Sequence, residues 1–180
     1  METHSDFDLP WCKELLTSPT VEITNIPTQD SRISGDKRIS NSMFSRTLYT
    51  STAIRAQINF KRPTQELDAI TPYEYCYLLS IGSDLDGMTG RAHGGFNAMI
   101  LDQITGEVSS NVTGSFAPAT ATMTVDYKAP IDTPGIILVR GWVVEMSGRK
   151  TWAKAVLEDG DRRVLASGKA LFISPREKKI

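Results

Sequence analysis

One stretch of this chain, Phe96 to about Val112, reads as a long helix, and everything after it reads as strand. The stretch contains no proline, and Phe96, Met99, Ile100, Gln103, Ile104, Glu107 and Val108 recur at helical spacing. That predicts an amphipathic helix of about four turns. Four strand-like segments follow, Thr120 to Lys128, Ile136 to Met146, Thr151 to Glu158 and Val164 to Ile173. Ser147-Gly148 and Asp159-Gly160 are turn signals between three of them. Upstream, Tyr73 to Ile81 is aromatic-rich and strand-like. One strand, one long helix and then strands joined mainly by hairpins is not βαβ winding. The order predicts an α+β fold, an antiparallel sheet wrapped around a single helix.

The first 70 residues read differently and are set apart as an N-terminal extension, with residues 71–180 as the main domain. Pro10 followed by Trp11 to Leu16 suits a short helix ending near Pro19. Residues 27–43 are rich in Ser, Asn, Asp and Arg and read as loop. Ile54, Ala56, Ile58 and Phe60 alternate with polar residues, the pattern of a half-buried strand, with a helix as the open alternative. A chain of 180 residues with 40% hydrophobic content can bury a core without metal or disulfide staples.

Several function classes fall away on composition. A formal net charge of −1 gives no basic excess for nucleic acid. No apolar run approaches the ~18 residues of a membrane span, and the acidic N-terminus lacks a signal-peptide layout. Cys12 and Cys76 are far apart with no CxxC, which points to two reduced, partly buried thiols in a cytoplasmic protein. Asp84-Leu-Asp86-Gly87 lacks the later ligands of a calcium loop, so no metal is expected. No GxGxxG, P-loop or GxSxG elbow is present.

What remains is a small constellation around the helix. Of the two histidines, His4 and His93, only the second lies in a structured context. His93-Gly94-Gly95 immediately precedes the predicted helix. Two glycines let the backbone approach a ligand closely, and free N–H groups at a helix start suit an anion or a developing oxyanion. A tight loop-to-helix turn is the equally open alternative. Asp102 sits in mid-helix, too far along to be a cap. Ala98 and Gly106 lie one turn away on either side, leaving room to approach its carboxylate, although a solvated polar face would also place an aspartate there. Gly94 and Asp102 are eight residues apart, about 12 Å along one helix. Reacting atoms must come within about 3–3.5 Å. If both residues serve one site, they come from different subunits.

These residues resemble the hotdog-fold thioesterases, in particular the acyl-CoA thioesterase branch with the human thioesterase-superfamily members and PaaI-like proteins. The resemblance rests on His93-Gly94-Gly95 with Asp102 nine residues after the histidine, on Thr120 with Tyr127-Lys128-Ala129-Pro130, and on Gly148-Arg149-Lys150. It covers about residues 71–174, and the stretch Asn41 to Arg62 also looks like the extension of microbial relatives. It implies a homodimer or dimer of dimers with the site between subunits. It further implies Asp102 as nucleophile or general base, the Gly94 N–H polarising the thioester carbonyl, and Thr120 orienting water. His93 would shape the loop, Gly95 would join it against the substrate, and Arg149 and Lys150 would meet the CoA phosphates. Arg91 and Lys128 are weaker candidates for that contact. Many relatives carry Asn or Gln six residues before the histidine, where this chain has Gly87.

The expected activity is hydrolysis of an acyl-CoA or acyl-carrier thioester, with no cofactor beyond the CoA of the substrate. The alternatives are a hotdog lyase or dehydratase-like enzyme on an acyl or polyketide intermediate, pairing His93 with Asp102, and a non-catalytic acyl-binding dimer. Thr120 is expected to share a strand face with Thr122, Thr124 and Asp126. Trp142 and Trp152 are expected to oppose each other across the Ser147 hairpin.

Overall fold

The computed structural model describes residues 3–27 and 41–176. Chain order is helix α1 (Pro10–Thr17), strands β1 (Glu22–Asn25), β2 (Ile54–Pro63) and β3 (Tyr73–Ile81), a small ribbon of β4 (Asp86–Met88) and β5 (Arg91–Ala92), helix α2 (Gly94–Thr113), then β6 (Ala119–Tyr127), β7 (Gly135–Ser147), β8 (Lys150–Glu158) and β9 (Val164–Ile173). Seven strands form one antiparallel sheet in the order β1-β2-β3-β7-β8-β9-β6. The segment that follows α2, β6, therefore ends the sheet as an edge strand. Residues 28–40, most of the stretch read as loop, lie outside the described residues.

Helix α2 runs along one face of this sheet. Its buried row is Phe96, Asn97, Ile100, Leu101, Ile104, Thr105, Val108 and Ser109. The apolar members pack on Tyr77, Leu79, Ile81, Ile137, Val139, Val143, Ala155 and Leu157. Fully burying each large aliphatic side chain contributes about 1.5–3 kcal/mol. The helix comes close to β7 at Gly141, where a Cβ would lie 3.1 Å from Val108 and 3.2 Å from Ile104. The Thr105 and Ser109 hydroxyls, on the buried row, donate to the carbonyls of Leu101 and Thr105 at 2.8 Å, so their burial leaves no donor unmet. Gly114, at φ +64°, ends the helix in the left-handed conformation that suits glycine.

The opposite face of the sheet carries a second layer. Ala56, Ile58, Phe60, Cys76, Leu78 and Leu138 are covered by Phe7 and Cys12, with Trp11, Leu15 and Leu16 beside them. Asp6 anchors this cover by accepting from Ser80 Oγ at 2.6 Å and pairing with Arg55 at 3.0 Å. The first 70 residues thus supply β1 and β2 to the sheet and a lid for its outer face. Both cysteines are free and buried there. Burial pushes the Cys12 thiol up to about 11 and the Cys76 thiol further still.

The tryptophans do not face each other. The turn residues are Gly148 and Arg149, flanked by the Ser147–Lys150 pair, and the register shifts between Val143 and Glu145. Trp142 therefore opposes Lys154 and Trp152 opposes Glu145. The Trp142 indole donates to Asp68 at 2.9 Å, and Lys169 Nζ lies 4.9 Å from the Trp152 ring centre.

Glu107 belongs to the predicted helical stripe yet finds its partner inside the protein, accepting from the Tyr77 hydroxyl. Burial raises the Glu107 carboxyl above the usual range, and the Tyr77 bond offsets part of that. A carboxyl whose folded value is raised favours the folded state below its unfolded value. That contribution is lost as pH rises through the folded one. Glu107→Gln keeps an acceptor for Tyr77 and removes the buried charge. Thermal melts are expected to show the variant more stable than wild type at pH 8, with the gap closing toward pH 4.

Candidate active site

Asp102 projects from the middle of α2 toward β6, and the local structure of β6 decides what meets it. Thr120 pairs with Phe172 of β9, whereas Thr122 pairs with Leu171, so Ala121 is an extra residue in the strand. Such a bulge resets the alternation of side chains. Thr120 consequently shares the helix-facing side with Met123, Val125 and Tyr127, while Thr122, Thr124 and Asp126 point to the other side. The expected common face of Thr120, Thr122, Thr124 and Asp126 is therefore broken at Ala121. The result is a direct contact, with Thr120 Oγ1 donating to Asp102 Oδ1 at 2.8 Å. The hydroxyl is consumed as donor to one carboxylate oxygen, which leaves the other oxygen to act on a ligand. Asp102 is half-buried and Thr120 exposed, so the pair is open to approach.

The N-terminus of α2 forms the other chemically distinctive place. His93 caps the helix, its Nδ1 accepting from the Gly95 N–H at 2.8 Å. Its own N–H donates to the Leu85 carbonyl at 2.7 Å. Gly95 therefore spends its donor inside the turn. The Gly94 N–H, at the first helical position, has no acceptor within the helix. The Tyr127 hydroxyl donates to the Gly94 carbonyl at 3.1 Å, and a Cβ on Gly94 would lie 3.3 Å from the Tyr127 ring. No sequence signal had marked Tyr127 as the residue that seats this turn. A Cβ at Gly87 would lie 2.8 Å from His93 Cδ2 and 3.0 Å from its Cα, so a side chain at position 87 would displace the capping histidine. Asp86 holds the same loop by accepting from the Gly90 N–H at 2.8 Å and from Thr133 Oγ1.

An open cavity of about 480 Å³ adjoins this helix start, lined among others by His93, Gly94, Asn97, Tyr127, Arg91 and Lys128. Arg149 and Lys150 lie elsewhere. Lys150 pairs with Ile173, itself the partner of Ala119, and Arg149 donates to the Ser174 carbonyl at 2.9 Å. They stand at the Thr120 end of β6, and the cavity stands at the Tyr127 end. One chain thus carries two separate groupings, Asp102–Thr120 with Arg149 and Lys150 near one end of β6, and His93–Gly94 with Tyr127 at the other.

Comparison with known proteins gives likenesses of sequence and of fold. The thioesterase superfamily profile matches residues 89–166, a span from the loop before His93 into β9. That span, less than half of the chain, resembles the thioesterase superfamily. The acyl-coenzyme A thioesterase THEM4 of Xenopus laevis is 31% identical over 113 residues, 56% of this chain and 50% of that protein. THEM4 of Rattus norvegicus is 33% identical over 93 residues, 51% of this chain and 39% of that protein. The match to this chain thus spans half or less of these curated relatives' own length. A crystal structure of a thioesterase superfamily protein superposes with a TM-score of 0.51 at 25% identity, over 56% of this chain and 49% of that one. A Streptococcus mutans protein bound to acetyl CoA superposes with a TM-score of 0.53 at 18% identity, over 59% of this chain and 84% of that one. At that identity the likeness is one of fold. The sheet with α2 against it is the hotdog arrangement of this superfamily. Among the described residues no helix is long and apolar enough to cross a membrane.

Proposed function

We propose that this protein hydrolyses an acyl thioester of CoA or of a carrier protein, at a site shared between two copies of the chain. The observation that carries the reading is the Thr120–Asp102 contact, a carboxylate held by one hydroxyl in a half-open setting. At the other end of β6 waits an N–H group suited to a polarised carbonyl. The Gly94 N–H, backed by the helix dipole, stabilises charge as it develops on the thioester oxygen. Asp102 either takes a proton from water as that water attacks the carbonyl carbon, or attacks the carbon itself to form a mixed anhydride that water then hydrolyses; in both the C–S bond breaks, water's oxygen ends in the acid and the thiolate takes up the proton that water gives up. Thr120 keeps the carboxylate oriented.

The two groupings come together in a two-fold dimer. Among the described residues β6 ends the sheet, with one neighbour, β9. Two such edges pairing antiparallel set the Asp102 end of one chain against the Gly94 end of the other. The same pairing moves Arg149 and Lys150 of one chain toward the cavity of the other, where they can meet phosphate. The capping geometry speaks against the dehydratase alternative. With Nδ1 accepting from Gly95, neutral His93 carries its proton on Nε2 and has no free lone pair to act as base. A panel of acyl-CoAs assayed for free thiol tests the reading. Release of thiol and acid together is expected, whereas bound ligand without release on any chain length would overturn the hydrolase and favour an acyl-binding dimer.

A further inference from the structure

The Gly94–Gly95 peptide is held from both sides by side chains. Its carbonyl oxygen, that of Gly94, accepts from the Tyr127 hydroxyl at 3.1 Å, and its N–H, that of Gly95, donates to His93 Nδ1 at 2.8 Å. Each glycine makes room for one of these holds. A Cβ at Gly94 would lie 3.3 Å from the Tyr127 ring, and a Cβ at Gly95 would lie 2.9 Å from His93 Nδ1. Two glycines in succession leave the backbone unusually free, and helix ends are where helices fray. Tyr127 itself is anchored. It pairs with Ala166 of β9, and the next two N–H groups, of Lys128 and Ala129, both donate to the Leu165 carbonyl at 2.9 and 3.0 Å. The residue is nevertheless 57% exposed, so core packing does not account for a ring laid on a glycine and a hydroxyl spent on a main-chain oxygen.

We infer that Tyr127 is a positioning residue that acts through Gly94, its hydroxyl holding the Gly94–Gly95 peptide so that the Gly94 N–H stays turned toward the cavity. The inference rests on the thioester reading above and names what keeps its carbonyl-polarising N–H in place. The two peptides that flank Gly94 are fixed in different ways. The His93–Gly94 peptide is held by its carbonyl, which accepts from the Phe96 and Asn97 N–H groups at 2.9 and 3.3 Å. The Gly94–Gly95 peptide relies on the first bond of the helix and on the two side chains. Without the hydroxyl, His93 is the single side-chain hold, and the plane can turn about Gly94 and carry the N–H off line. A donor to a developing oxyanion works because it is aligned before the charge appears. Misalignment is therefore expected to cost turnover more than substrate binding. β6 then supports both groupings, through Thr120 on Asp102 at one end and Tyr127 on Gly94 at the other.

Tyr127→Phe keeps the ring on Gly94 and removes the hydroxyl alone. Wild type and variant are compared on one acyl-CoA by thiol release. The variant is expected to lose about 5- to 10-fold in kcat, with KM changed by less than about twofold and Tm level. In a Gly94→Pro background, which has no N–H at that position, the same change is expected to alter the residual rate by less than about twofold, because a residue that acts through the N–H has nothing left to act on. A kcat unchanged in the single variant overturns the inference, and so does a loss of equal size in both backgrounds. Amide exchange followed by NMR on protein labelled at glycine reads the hold directly. The Gly95 N–H is expected to exchange several-fold faster in Tyr127→Phe, and exchange at the wild-type rate also overturns the inference. If wild type releases thiol from no acyl-CoA, the hydrolase reading fails by itself, and the Gly95 exchange rate still decides whether Tyr127 holds the turn.

Discussion

Asp102→Asn is expected to lower thiol release by about 10²- to 10⁴-fold, the range lost with a positioned base or nucleophile, and to leave the fold intact. Asparagine has the same shape, and its carbonyl oxygen can still accept from Thr120 Oγ1, now at 2.8 Å from Asp102 Oδ1. What disappears is the negative charge and the basicity of the second oxygen. The loss is therefore expected in kcat with KM little changed, since an interaction made mainly in the transition state is removed. Thr120→Val separates positioning from chemistry. It frees the carboxylate to rotate while keeping its charge, and the expected loss is smaller, about 10-fold, again in kcat. An Asp102→Asn protein that retains wild-type turnover, with a melt like wild type, would remove the carboxylate from the mechanism.

The largest stability effect is expected far from the cavity, at Arg140. Its guanidinium sits on the outer face of the sheet, bonded through Nη1 to Glu74 at 2.7 Å and through Nη2 to Glu158 at 2.7 Å and Glu66 at 3.0 Å. Arg62 holds the other oxygen of Glu74 at 2.7 Å. The Glu74 side chain is 2% exposed and that of Glu158 8%. Two carboxylates can be this dry only because a cation is fixed between them; burial works against the Arg140 charge, and the Glu158 hydrogen bond with the Glu74 and Glu158 charges outweighs it and holds the guanidinium charged. Arg140→Ala leaves both without their shared partner. Breaking a buried pair from one side costs about 3–5 kcal/mol, a large share of the stability of a chain this size. Chemical denaturation is the measurement, with a drop of that size at unchanged slope expected. Arg140→Lys is expected to fall in between, because an ammonium is a point charge without the fork that reaches two carboxylates at once.

Much of the fold was legible because it rests on local pattern. The bounds of β3 and β9 coincide with the apolar stretches Tyr73 to Ile81 and Val164 to Ile173. Helix α2 begins two residues earlier than its apolar stripe, because the His93 cap recruits both glycines into the first turn. Features that depend on a distant strand were hidden. The bulge at Ala121 appears only once β6 lies on β9, and it alone turns Thr120 toward Asp102. The outer layer joins Phe7 and Cys12 to Leu138 across most of the chain. The Arg140 cluster likewise unites residues 66, 74, 140 and 158, which have no spacing in common.

Whether the two groupings on one chain serve a site made by two chains is tested most directly by mixing two disabled proteins. Asp102→Asn lacks the carboxylate. Gly94→Pro lacks the N–H, and proline suits the first position of a helix whose preceding residue is extended, as His93 is at φ −63° and ψ 138°. Each variant alone is expected to be nearly inactive. After subunit exchange, confirmed by native mass spectrometry, each mixed dimer holds one intact site, and about a quarter of wild-type thiol release is expected to return. Mixed dimers that form in full and stay as inactive as their parents would contradict the shared site.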